Sequence, residues 1–168
     1  MVIPETETAY EQVVLEANPS TDYETERGKP KPNIIHGLIQ AQLVFLLKTF
    51  FGERFIFPSE LALATTPDVC IYSKRKLDLR EVAAKETEMP LTTIEILSPS
   101  QSIEELQDKA WNIYFPAGVM SAWVVLPSIK AIQVLTPNGQ SQLFYSNTLT
   151  DATTGIQLDV NQVFEDLL

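Results

Sequence analysis

The chain has 168 residues, 45% of them hydrophobic and 20% charged, which predicts one globular domain over residues 1–168 and excludes a largely disordered protein. Its 22 acidic and 12 basic side chains give a net charge of −10, and this charge opposes tight, non-specific binding to nucleic acid. The single cysteine, Cys70, excludes an internal disulfide and argues against a cysteine zinc cluster.

We expect no secretory targeting signal in this sequence. The start, "MVIPETETAY", has neither the basic region nor the apolar run of a secretory signal. No apolar stretch is expected to reach the roughly 18 residues that span a bilayer. We therefore predict a cytoplasmic protein with no membrane partner. Basic residues concentrate in two segments, Arg27–Lys31 and Lys74–Arg80, and each is more often a solvated loop than a phosphate contact.

The first 52 residues predict two helices. Residues 5–17 have apolar side chains at helical spacing, and the proline-rich residues 18–33 form a loop. Asn33 can cap a long helix over residues 34–51, whose apolar side chains form a broad face. Gly52 ends this helix, which we expect to be the central helix of the fold.

Three strands are predicted next. Residues 54–64 read as a bent strand, because Pro58 cannot donate a ladder hydrogen bond. After a short turn, residues 68–73 run back as a second strand, in which Cys70 is expected to lie in the core. Residues 89–97, "MPLTTIEIL", form the third strand.

A strand–helix–strand unit follows from the third strand. Residues 98–115 begin with helix-start signals, and Ser100 or Ser102 can cap the helix. Residues 121–127, "SAWVVLP", form a fourth strand. A strand–helix–strand connection crosses over in a right-handed sense, so the third and fourth strands are predicted to pair in parallel.

The remainder predicts a hairpin over residues 130–146, with its turn at Asn138-Gly139. The acidic tail, residues 147–168, is mixed and ends in a short helix. The predicted fold class is therefore α/β (or α+β), with a central mixed β-sheet flanked by helices.

Two carboxylates stand out in this pattern. Asp68 opens the second strand, and Glu95 lies in the middle of the third, where Ile94 and Ile96 point to the opposite face of the sheet. An unpaired carboxylate inside a sheet costs several kcal/mol, so a cation must compensate it. That cation is Lys109, which lies one crossover away, or a metal ion. Two converging carboxylates form an oxygen-rich site that suits Mg²⁺ or Mn²⁺.

Each of these residues also has a purely structural interpretation. Asp68 could be a turn or cap residue, and Glu95 could form a structural salt bridge with Lys109. His36, the only histidine, is by default a buried and satisfied side chain, but it could also lie near the metal or substrate. Glu60 is either an acid on an edge strand or a residue that supports the metal ligands.

Aromatic side chains of the second half are assigned to packing. Trp111 and Trp123 are expected to pack in the core rather than to stack on bases. Tyr114 lies five residues after Lys109, which is about 140° around an α-helix. We therefore expect Tyr114 and Lys109 to lie on different faces.

The order "PDVCIYS", then "TIEILSPSQSIEELQDK", then "YFPAGVMSAWVVLP" resembles the Uma-type restriction endonuclease domains of cyanobacteria, in the PD-(D/E)XK nuclease superfamily. The resemblance runs from about residue 20 to residue 145 and implies a restriction-endonuclease-like fold. It implies that Asp68 and Glu95 are the two catalytic metal-ligand acids of a Mg²⁺- or Mn²⁺-dependent endonuclease that cuts phosphodiester bonds in DNA. A homodimer, in which each subunit cuts one strand, is also implied.

One position departs from the superfamily pattern. The usual catalytic lysine lies two residues after the second acid, where this sequence has Leu97. The resemblance implies that Lys109 has taken this role. Two alternatives stay open: a catalytically silent module that binds a partner on the same fold, and a metal-dependent hydrolase of a small phosphorylated compound.

Overall fold

The computed structural model describes residues 28–81 and 85–168. The chain divides into two compact units, Met1–Lys31 and Pro32–Leu168, and the second unit contains every element described below. The predicted helix over residues 5–17 lies outside the described residues, and so does most of the predicted loop over 18–33. The single domain over 1–168 stays a prediction.

The second unit contains both helices and strands, in a mixed order along the chain. The helices are α1 (Ile34–Phe51), α2 (Ile103–Lys109) and α3 (Val160–Val163), and α2 continues into a π-turn (Ala110–Tyr114). The strands are β1 (Phe55–Ile56), β2 (Val69–Ser73), β3 (Thr92–Ile96), β4 (Ser121–Leu126), β5 (Ala131–Leu135), β6 (Ser141–Tyr145), β7 (Thr148–Asp151) and β8 (Ile156–Asp159). The β7–β8 hairpin in the tail was not predicted.

The central sheet has six strands in the order β1-β2-β3-β4-β5-β6. β3 and β4 pair in parallel, and the other neighbours are antiparallel. The predicted parallel crossover is therefore confirmed, as is the mixed sheet flanked by helices. α1 packs on one face of the sheet, against side chains that include Ile94 and Ile96. The π-turn and α2 pack on the other face, against Ala122 and Val124.

α1 forms where the sequence predicts it. The Asn33 side chain accepts a hydrogen bond from the backbone N–H of His36 at 2.9 Å, and Gly52 follows the last helical residue. Its 18 residues have a mean hydropathy of 1.5, so by length and composition alone it could cross a membrane. The expectation that no apolar stretch is this long was therefore wrong. Core helices have the same length and composition, and Ile39 and Leu43 of α1 are buried in the core beside the sheet.

β1 is much shorter than the predicted strand over residues 54–64. Only Phe55 and Ile56 pair regularly with β2, and a single bridge joins Ser59 to Val69. The reason is local. Pro58 has no N–H to donate, and Glu60 adopts a positive φ of 53°, which turns the chain away from an extended path.

A buried carboxylate ties the β7–β8 hairpin to the central sheet. Asp151 is fully buried, and its Oδ2 accepts hydrogen bonds from Ser121 Oγ at 2.8 Å and from Trp123 Nε1 at 2.9 Å. Thr92 Oγ1 lies 3.3 Å from the same oxygen, and the Thr153 N–H donates to Oδ1. Four donors therefore satisfy this charge inside the fold.

We expect Asp151→Ala to lower the free energy of unfolding by about 2–4 kcal/mol, because it leaves several buried donors without an acceptor. The matched control is Asp166→Ala, since Asp166 is exposed and its loss should change stability by less than about 0.5 kcal/mol. Urea denaturation followed by circular dichroism measures both. Equal stability of the two variants would contradict an anchoring role for Asp151.

Candidate active site

Asp68 and Glu95 lie at the same end of two neighbouring strands. β2 and β3 pair antiparallel with Val69 opposite Ile94, so the next step along this register brings Asp68 opposite Glu95. Asp68 Oδ2 accepts a hydrogen bond from the backbone N–H of Ile96 at 2.7 Å. The two residues are only 1% and 4% exposed. The structure thus places the two acids that the sequence singled out at neighbouring strand positions, both buried.

Glu95 is held by two side chains from the crossover. Lys109 Nζ lies 3.6 Å from Glu95 Oε1, and the Tyr114 hydroxyl donates a short hydrogen bond to the same oxygen. The predicted approach of Lys109 to the Glu95 strand is therefore confirmed. At 3.6 Å the ammonium is beyond normal hydrogen-bond distance. Within residues 28–81 and 85–168, Lys109 Nζ has no hydrogen-bond partner although it is buried.

The π-turn explains why both side chains reach one carboxylate. After Lys109 the helix continues with wider turns, in which the Phe115 N–H donates to the Ala110 carbonyl at 2.9 Å. This i→i+5 bonding stacks residues five apart, whereas an α-helix separates them by about 140°. The expectation that Lys109 and Tyr114 lie on different faces was therefore wrong.

Tyr114 was not recognised from the sequence as a site residue. Its side chain is buried, and its hydroxyl lies 2.7 Å from Thr65 Oγ1. Burial raises the pKa of Tyr114 far above its usual value, and the neighbouring Glu95 carboxylate raises it further. The phenol therefore stays protonated. Because its single proton goes to Glu95, Thr65 must donate to the Tyr114 oxygen.

α1 supplies the partners of Asp68. His36 Nε2 lies 3.2 Å from Asp68 Oδ2, and His36 is only 4% exposed. In the part of the chain that the structure describes, His36 Nδ1 has no hydrogen-bond partner. The position of His36 in the first turn of α1 thus brings it directly to the first acid.

Gln40, one turn further along α1, links Asp68 to Glu60. Its amide nitrogen donates to the Asp68 backbone carbonyl at 3.0 Å and to Glu60 Oε1 at 3.2 Å. The Glu60 N–H donates to the same Asp68 carbonyl at 3.2 Å. The left-handed backbone of Glu60 is uncommon for a residue with a side chain, and such conformations concentrate at functional sites.

The donor set fits a divalent ion of the magnesium type. Mg²⁺ is commonly bound through one or two carboxylates, with water and substrate phosphates completing the shell, and Asp68 and Glu95 offer two. Among the described residues, no group of three or more His, Cys, Asp and Glu side chains is arranged to hold a metal ion. A site closed entirely by protein ligands, of the structural zinc type, therefore does not fit these residues.

A cavity of about 600 Å³ lies beside His36, at the ends of β3 and β4. Its lining includes Leu97 and Ser98, which directly follow β3, and Lys130. The Lys130 ammonium donates to the Leu167 carbonyl at 2.7 Å. The cavity is large enough for a small ligand or for one nucleotide of a longer chain.

The segment Lys74–Arg80 does not form a strong basic patch. Arg80 pairs with Asp78 at 2.6 Å, and Arg75 pairs with Glu88. Acidic neighbours thus offset two of its four cations. It follows β2, at the opposite end of that strand from Asp68.

The chain is similar to known proteins in sequence and in fold. The sequence matches the Uma2 family, described as "Putative restriction endonuclease", over residues 9–162. The chain belongs to the Uma2 family. The predicted resemblance is therefore confirmed. Restriction-endonuclease-like families act on nucleic acids and generally use a divalent metal ion, so Uma2 membership makes this chain a nuclease-family protein.

A solved structure shares the fold. A protein from Anabaena variabilis ATCC 29413, described as "a putative nuclease belonging to DUF820", aligns with a TM-score of 0.68 and 21% sequence identity. The alignment covers 83% of this chain and 85% of that one. A search of curated proteins finds no match. The structural likeness confirms a restriction-endonuclease-like fold.

Replacing Lys109 tests whether it is a structural ion-pair partner of Glu95. We expect Lys109→Met to change the free energy of unfolding by less than about 1.5 kcal/mol, because Glu95 keeps the hydrogen bond from Tyr114 and the Met side chain keeps the apolar stem. Thermal and urea melts measure the change, with Lys48→Met on the exposed side of α1 as the control. A loss of about 3–5 kcal/mol, the cost of breaking a buried pair, would show that the pair is structural.

Proposed function

We propose that this protein is a Mg²⁺-dependent endonuclease, also active with Mn²⁺, that hydrolyses phosphodiester bonds in DNA. The observation that carries the proposal is a pair of buried acids at neighbouring strand ends, with a lysine from the crossover helix beside one of them. Val69 pairs with Ile94, and one step further along this register lie Asp68 and Glu95. Lys109 Nζ lies 3.6 Å from Glu95. Uma2 membership supports the nuclease class.

Asp68 and Glu95 would hold the metal. Two acids on neighbouring strands repel each other unless a cation lies between them or beside them, and a divalent ion would be such a cation. A bound divalent ion would polarise the scissile phosphate and stabilise the charge that develops on it. His36 and Gln40 hold the Asp68 side chain and backbone in place, and Glu60 joins them through Gln40.

Lys109 would act on the water and the phosphate. Its buried ammonium carries three donors and makes no hydrogen bond within the described residues. Such a group can orient the attacking water and neutralise a phosphate oxygen as the transition state forms. The ammonium lies near Glu95 but forms no hydrogen bond with it.

The substrate approaches from the cavity side. The cavity is lined by His36 and by Leu97 and Ser98, which follow the Glu95 strand, and not by the two acids themselves, so nucleotides that flank the scissile bond, rather than the bond itself, would lie there. A homodimer that cuts both strands of duplex DNA is part of the proposal, as is action in the cytoplasm.

A catalytically silent module that binds a partner is the second candidate, because two observations favour it. The net charge of −10 opposes binding to a polyanion. The side chains of Asp68, Glu95 and Lys109 are also no more than 15% exposed, so a phosphate reaches them only if the site opens. This candidate predicts no hydrolysis with any metal.

Plasmid cleavage separates the two candidates. We expect nicking and linearisation with Mg²⁺ or Mn²⁺, no cleavage in EDTA, and rates at least about 100-fold lower in Asp68→Asn and Glu95→Gln, because each removes a carboxylate ligand of the metal ion that stabilises the transition state. The control Asp166→Asn changes an exposed carboxylate in the same way and should cleave at the wild-type rate.

Calorimetry with Mn²⁺ gives a readout that does not depend on turnover. Wild-type protein should bind Mn²⁺ at millimolar or lower concentration, and Asp68→Asn should bind it at least about tenfold more weakly, because one carboxylate ligand is lost. Binding without cleavage supports a silent metal-binding module. Equal cleavage by wild type and both site variants would instead reveal a contaminating nuclease and contradict the proposal.

A further inference from the structure

We propose that Tyr114 is a positioning residue, whose hydroxyl occupies Glu95 Oε1 and so keeps the Lys109 ammonium outside hydrogen-bond distance of that carboxylate. This inference rests on the proposed function, because it explains how the lysine stays available to water and phosphate. Neither the Uma2 description nor the resemblance assigns a role to this tyrosine.

Two donors converge on one carboxylate oxygen. Glu95 Oε1 accepts from the Tyr114 hydroxyl, and Lys109 Nζ lies 3.6 Å from the same atom. A Lys–carboxylate pair that is free to close settles at about 2.7–2.9 Å. The Tyr114 hydroxyl is therefore within hydrogen-bond distance of Glu95 Oε1, and the Lys109 ammonium is not.

The tyrosine is fixed in this position by its surroundings. It ends the π-turn, packs among the buried side chains around Leu106 and Val124, and receives a hydrogen bond from Thr65. These contacts direct the hydroxyl at Glu95 Oε1.

The consequence concerns the state of the lysine before substrate binds. A hydrogen bond from Tyr114 disperses part of the negative charge of Glu95 and weakens its attraction for Lys109. The N–H groups of Lys109 that a closed salt bridge would direct at Glu95 then remain available to water and phosphate. Without the hydroxyl, the lysine should close on Glu95 and form a tight, unproductive pair.

Tyr114→Phe tests this inference, because it removes one oxygen and keeps the ring. A crystal structure of the variant should show Nζ–Oε1 below about 3.2 Å, the outer limit of a normal hydrogen bond. In the cleavage assay kcat should fall at least tenfold, while KM for DNA changes less than twofold. Introducing the same change at Tyr72, which is also buried and donates to the Glu88 carbonyl at 2.8 Å, should leave both the distance and kcat unchanged.

A purely structural role for Tyr114 predicts a different result. The variant would then lose stability, with Nζ–Oε1 still near 3.6 Å and kcat unchanged in the folded fraction, and this would overturn the inference. If wild-type protein cleaves nothing with Mg²⁺ or Mn²⁺, the proposed function fails. The distance in Tyr114→Phe still decides the inference about the tyrosine in that case.

Substitution with 3-fluorotyrosine provides a second test if Tyr114→Phe does not fold. Ring fluorination makes the phenol a stronger donor and preserves the shape of the ring. The labelled protein should show a longer Nζ–Oε1 distance than wild type. An unchanged or shorter distance would overturn the inference.

Discussion

The buried carboxylate of Glu95 must be compensated by donors and cations, and this requirement determines which side chains surround it. A carboxylate in the middle of a central strand costs several kcal/mol unless donors and cations compensate it, and Glu95 is only 4% exposed. Two of its partners come from one connection, the crossover between β3 and β4. A right-handed crossover lays its helix over the strand that precedes it, and this helix carries both Lys109 and Tyr114 to Glu95.

The two acids are contacted by helices on opposite faces of the sheet. α1, on one face, brings His36 and Gln40 to Asp68. The crossover helix, on the other face, brings Lys109 and Tyr114 to Glu95. Val69 pairs with Ile94, and Asp68 and Glu95 follow at the next step of this register, so supports from opposite faces of the sheet hold acids at neighbouring strand positions. Two carboxylates are a common ligand set for the divalent ion proposed above.

Sequence patterns predicted the parts of the site that depend on short-range rules. Strand alternation placed Glu95 opposite its isoleucine neighbours, and crossover handedness brought Lys109 back to it. The role of Tyr114 was missed, because a helical period of 3.6 residues was applied across a turn with i→i+5 bonding. The Asp151 network was missed for another reason: three of its four donors lie on β3 and β4, about 30 to 60 residues away in the chain, and no local pattern indicates such pairing.

The central claim is that Asp68 and Glu95 share one divalent ion, and anomalous diffraction from a crystal soaked in Mn²⁺ tests it most directly. The account predicts one strong anomalous peak with oxygen atoms of both carboxylates at about 2.0–2.6 Å from it, the range of metal–oxygen bonds to hard cations, and with the Tyr114 hydroxyl still on Glu95. A peak bound to only one of the two carboxylates, or no peak at this end of the sheet at saturating Mn²⁺, would contradict it.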